Sequence, residues 1–300
     1  MTAPAPTPPP PRERRLLAIG ILAAIALHLG LLAWARPGFM VTDDQVYAES
    51  AVDLLRGTYV LTPEHRVNRF GAIVPTAGAY GVLGIGPWTT VAVPLLWSIV
   101  GNAATGRVAA RIAGARAGVV AAWLLAPTSM LVNGSAYLMV DVPVGVLMLL
   151  ATACLWLGRA PGCTRPAAWG AAAVAAVSVG VLTKLTMLWL APLFGVVFLA
   201  DVVRRRHGRF WWAFVPLGLA SAGAFFGAYG VATGDPLCPV HGIERHHNAT
   251  HWSYVGADAA TVLRRITYEP ALSLLRDLPE IALMAAAALP LLVSFPHVAD

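Results

Sequence analysis

The sequence predicts an all-α protein, a polytopic transmembrane helical bundle of about 8 spans with a large first outer loop carrying short amphipathic helices. Three observations lead there. Hydrophobic residues fill 58% of the 300 positions and charged residues 12%, about half the charge of a soluble domain. Several apolar runs reach the ~20 residues that a helix needs to cross a bilayer core. Between these runs the arginines gather in short clusters, which is how helices are oriented across a membrane. The net charge of +6 therefore implies no nucleic-acid partner.

In chain order, residues 1–15 form a Pro-rich, disordered cytoplasmic tail, and the membrane domain takes residues 16–300. Arg12, Arg14 and Arg15 hold the N-terminus inside, before a first span over 16–35. Ala33-Trp34-Ala35 has the form of a signal-peptidase site, but the run exceeds the ~7–15 residues of a signal core, so an uncleaved anchor is expected. His28 within it reads as a packing residue. The first outer loop covers about 36–86. In it Thr42 and Gln45 have capping-box spacing, apolar residues recur at helical spacing from Tyr47 to Leu55, and Gly57 is a natural stop. The stretch 71–84 is apolar but broken by Pro75 and several glycines, so it reads as an interfacial or re-entrant helix.

Further spans are expected at about 87–104, 117–132, 142–158, 168–183, 186–202 and 210–231. A second outer loop follows over about 232–280, then an eighth span at about 281–295. With this parity every arginine cluster between spans falls inside, as the positive-inside rule requires. Asp43, Asp44, Asp141, Lys184 and the His-rich loop all fall outside. Cys154, Cys163 and Cys238 have neither metal nor disulfide spacing. Arginine as the default cation, with abundant Ala and Gly, points to a GC-rich bacterial genome and hence to the plasma (inner) membrane.

Asp43 and Asp44 lie in the first turn of the helix that follows the first span, where carboxylates also complement the helix dipole. Asp141 opens the fourth span, just before Pro143; a helix-capping role and a chemical one are both open there. Lys184 is the single lysine of the chain and stands on the outer side, against the general distribution of cations. A snorkelling anchor is the plain alternative. Arg66 and Arg69, with His65, sit in the first outer loop, either solvated or ready to grip an anionic headgroup. In the second outer loop His241 to His251 hold half of the eight histidines. His247 and His251 share one helix face and, with Glu244, have the donor chemistry for a divalent metal (Mg2+, Mn2+ or Zn2+), although the spacing matches no closed zinc pattern.

These features resemble the GT-C glycosyltransferases: an acidic pair soon after the first span, a basic segment in the first loop, an Asp opening the fourth span, and Thr183-Lys184 at the outer edge. The branch they look most like is that of protein mannosyltransferases and their lipid A aminoarabinose relatives. The resemblance covers most of residues 16–260 and rests on short motifs. It implies inverting transfer of a sugar from a polyprenyl-phosphate donor to a lipid, glycan or protein acceptor at the non-cytoplasmic face. Asp44, or Asp43, would match the family's catalytic acidic residue and Asp141 a second one, while Lys184 and Arg69 lie where contacts to the donor phosphate are expected, with Arg66 beside them in the same loop as Arg69. Members of the family usually have more than ten spans, so a shortened or partial relative is one expectation. A transporter or flippase would instead place its ionisable residues near the bilayer midplane, where a carboxylate costs about 2.5–3.5 kcal/mol.

Overall fold

The computed structural model describes residues 10–40, 42–62, 66, 68–204, 208–242, 258–266 and 272. Among them the chain forms α1 (Pro11–Ala35), α2 (Asp43–Arg56), α3 (Phe70–Leu83), α4 (Pro87–Thr90), α5 (Ala92–Ala113), α6 (Ala115–Leu125) and α7 (Ser129–Ala136). Then come α8 (Asp141–Gly158), α9 (Pro166–Thr183), a 3-10 turn (Leu185–Trp189), α10 (Leu190–Val203), α11 (Arg209–Thr233) and α12 (Ala259–Ile266). No strand occurs among the described residues, as the all-α reading expects.

Among the described residues, five helical stretches are long and apolar enough to cross a membrane: α1, α8, α9, Leu185–Val203 and α11. A sixth is gained if α6 and α7 count as one span, but they bend by 57° at the break between them. These six match all but one of the spans expected within the described residues. Pro127 stands in that break, and Thr128 restarts the chain as an N-cap whose Oγ1 accepts from the Leu131 N–H. The run at 87–104 becomes α4 and the first part of α5, a helix that continues through Arg107 and Arg111. The expected span at 281–295 lies outside the described residues.

α8 and α9 pack together, α11 covers α9, and α5 joins α8 to α6 and α1. Leu147, Ala151, Leu155, Ala173, Met187 and Phe210 fill the junction. Inside a bilayer such contacts hold helices through close packing and hydrogen bonds, since lipid offers no hydrophobic drive between them. His28 supplies two of those bonds, with Nδ1 3.2 Å from Ala126 O and Nε2 3.0 Å from Ser98 Oγ. It ties α1 to α5 and to the end of α6.

The two ends of the bundle differ in chemistry. At one, Arg159 makes a bidentate pair with Asp201, both contacts at 2.6 Å, and the Trp211 indole N–H donates to the same carboxylate at 2.8 Å. This clamp joins the far ends of α8 and α10 to the start of α11. At the other end stand α2 and α3, the beginning of α8 and the end of α9, and there Asp43 pairs with Arg66 and Asp141 with Lys184.

Candidate active site

α2 starts at Asp43 and stops at Gly57, whose φ of 70° is the left-handed conformation that glycine supplies without strain. The expected capping box does not form. The Thr42 side chain caps no backbone N–H of the helix, and the Gln45 amide donates to Glu49 at 2.7 Å instead. The start of the helix is fixed by Asp44. Its Oδ2 accepts the Met40 N–H at 2.6 Å, and its Oδ1 accepts the Thr42 N–H at 2.9 Å and the Thr42 hydroxyl at 3.3 Å. Asp44 is fully buried, at 0% exposure. Asp43, one residue earlier, has a side chain 43% exposed; its Oδ1 lies 3.4 Å from Arg66 Nη1, and the Tyr47 hydroxyl donates to its Oδ2 at 3.4 Å. Adjacent carboxylates thus divide their work. Asp44 holds the loop to the helix, and Asp43 opens to the cleft.

The loop after α2 is folded back by its own side chains. Asn68 donates to Thr62 O at 2.8 Å and accepts from the Tyr59 hydroxyl at 3.4 Å, while Tyr59 meets Phe70 edge to face. That delivers Arg69 to the start of α3 in a buried position, 8% exposed, with no hydrogen-bond partner for its Nε among the described residues. Gly71 then lets α3 touch the end of α9. A Cβ there would run into Thr183 Oγ1 and stand 2.9 Å from the Thr183 N. Immediately beyond, Lys184 leaves the helix in an extended conformation, and its Nζ donates to Asp141 Oδ1 at 2.6 Å. Asp141 is the first residue of α8 and makes no cap; it serves the lysine instead.

Tyr47 stands among these groups. Its ring is buried with Ala72, Ile73, Leu138 and Val140, so it joins α2 to α3 and to the segment leading into α8. Burial pushes its phenol well above the ordinary tyrosine range; Arg69 opposes this, and the Asp43 and Asp141 carboxylates add to it. One ring therefore senses both carboxylates and the buried arginine. Tyr229, near the end of α11, is buried. Beside it an apolar groove of about 480 Å3 runs between α9 and α11, lined by Phe70, Leu185, Val181, Phe214, Phe225 and Tyr229. Two of these residues, Phe70 and Leu185, directly follow Arg69 and Lys184 in the chain.

The structure brings together Asp43, Asp44, Asp141, Lys184, Arg66 and Arg69, which the sequence singles out from four separate segments. His65, Glu244, His247 and His251 lie outside the described residues. Among the described residues no group of three metal-ligating side chains occurs. Sequence reading passed over Tyr47, which looked like one apolar position on a helix face, and Tyr229. It also passed over Asp201, although a carboxylate closing an apolar run needs a partner.

No protein-family model and no curated protein sequence matches the chain. Solved structures do. ArnT from Cupriavidus metallidurans in the apo state superposes with a TM-score of 0.60 at 23% identity, over 74% of this chain and 43% of that one. ArnT from Cupriavidus metallidurans bound to undecaprenyl phosphate gives a TM-score of 0.58 at 21% identity, over 75% of this chain and 43% of that one. The chain has the membrane fold of these proteins and spans less than half of their length.

Proposed function

We propose that this chain carries the donor site of a membrane glycosyltransferase, which moves a sugar from a polyprenyl-phosphate carrier to a hydroxyl acceptor at the face away from the cytoplasm. The observation that carries the reading is Arg69, a buried guanidinium whose Nε has no hydrogen-bond partner among the described residues, next in the chain to Phe70 of the apolar groove. A buried N–H left without an acceptor is costly, and the oxygens of a phosphate are natural acceptors for the planar guanidinium. The groove suits the isoprenoid tail. The likeness to an ArnT structure bound to undecaprenyl phosphate supports the same carrier chemistry.

In this mechanism Asp43, the open carboxylate, takes the proton of the acceptor hydroxyl as the oxygen attacks the sugar's anomeric carbon. The bond from that carbon to the phosphate oxygen breaks, its electron pair stays with the phosphate, and the configuration inverts. Arg69 and Lys184 stabilise the charge that gathers on the leaving phosphate. Asp141 keeps Lys184 directed at the cleft in the meantime. Asp44, the residue that sequence position puts first as base, spends both oxygens on Met40 and Thr42 and is assigned to holding the start of α2. A divalent metal at Glu244, His247 and His251 stays a separate proposal, and no step above runs through it.

The test uses undecaprenyl phosphate as probe with the purified full chain in detergent, followed by transfer assays with a panel of undecaprenyl-phosphate sugars. Arg69→Ala and Lys184→Ala should each weaken probe binding on the order of tenfold or more, and Lys184→Arg should keep part of it. Parental binding in both alanine variants would remove the reading.

A further inference from the structure

We infer that Tyr47 is the positioning residue of this centre, holding Asp43 in the orientation from which it can receive a proton. The inference rests on the reading of Asp43 as the base and adds a group that the reading does not need. Its grounds are geometric. Tyr47 lies one helical turn after Asp43, so its hydroxyl reaches back to Oδ2, while Arg66 holds Oδ1 from the facing loop. The carboxylate is thereby gripped at both oxygens from different elements. The Tyr47 ring is 1% exposed and wedged between α2, α3 and the residues before α8, so it moves with the frame of the site.

A surface tyrosine could make the same contact but could not keep its direction. The distance of 3.4 Å is long for an O–H donor. Bonds of this kind commonly tighten when substrate completes the site. The groups that face Asp43 are Arg66 from the loop and Tyr47 on its own helix, and those near Tyr47 are Arg69 at the start of α3 and Asp141, with its partner Lys184, from α8 and the end of α9. Burial keeps the phenol protonated well past the ordinary tyrosine range, so it stays a donor throughout the pH interval in which a carboxylate base works. A hydrogen bond given to the ionised carboxylate favours that form over the acid.

The experiment measures transfer against pH for the full-length parent, Tyr47→Phe and Asp43→Asn, using whichever undecaprenyl-phosphate sugar of the panel is turned over. Phenylalanine keeps the ring and its packing, so only the hydroxyl is lost. Tyr47→Phe is expected to lower kcat on the order of tenfold with donor KM nearly unchanged. Replacing Tyr47 with 3-fluorotyrosine, which keeps the hydroxyl donor, should hold kcat near the parental value. An inactive Asp43→Asn beside a Tyr47→Phe profile that overlays the parent would overturn this inference and spare the base. A near-parental Asp43→Asn would sink the base assignment, and the role of Tyr47 with it.

Discussion

Asp43 and Asp44 are chemically identical neighbours, and what separates them is where the chain before α2 folds. Met40 and Thr42 turn their amides onto Asp44, which leaves Asp43 half open beside Arg66. Their replacements should therefore fail in different ways. Asp43→Asn should leave folding and probe binding intact and lower the transfer rate by about 10²–10⁴-fold. Asp44→Asn removes charge from a buried carboxylate that receives two backbone N–H groups, so it should lower thermal stability, by about 1–3 kcal/mol, with a smaller effect on rate in the folded fraction. Unfolding temperature and turnover measured on the same preparations separate the two. Sequence alone could not divide these roles, because helical spacing says nothing about a preceding loop. Asp141 and Lys184 were legible, since each is an ionisable residue at the end of an apolar run where bland residues suffice.

Between elements, the site depends on how closely α3 approaches α9. Gly71→Ala would drive a methyl into Thr183, next to Lys184, and such overpacking costs about 1–3 kcal/mol. The expected outcome is a protein that still inserts but binds undecaprenyl phosphate on the order of tenfold more weakly, because Arg69 and Lys184 lose their register. Parental affinity in Gly71→Ala would show that the two cations act apart. The folded loop between α2 and α3 has its own signature. Burial raises the Tyr59 phenol from 10.0 to about 12, so its stabilising contribution is complete below the unfolded value and is lost as pH rises through the folded one. Thermal unfolding followed from pH 9 upward should fall across that window, and Tyr59→Phe should flatten the fall. These elements were partly visible in the chain. The stop at Gly57 and the short apolar α3 followed from residue type, but the break between α6 and α7 did not, because hydropathy averages over a single proline.

Over the whole molecule, the bundle keeps its arginine clamp at one end and its mixed carboxylate and cation cluster at the other. In the orientation proposed from the positive-inside rule, the cluster lies away from the cytoplasm. In a cysteine-free background, Glu49→Cys in intact cells should react with an impermeant maleimide, and Arg116→Cys should react only after the membrane is opened. The reverse pattern would put every residue of the proposed site in the wrong compartment. The pairing of charge within the cluster has a consequence for the proposed turnover. Arg66 is paired with Asp43 and Lys184 with Asp141, and Asp44 turns its oxygens to the amides of Met40 and Thr42, so on the proposed reading Arg69 is left to meet the carrier. The sugar-bearing phosphodiester would bring it one negative charge, and transfer would leave a monoester that can carry two. Departure of the empty lipid, as well as the chemistry, should then depend on the pH at the face where the site opens.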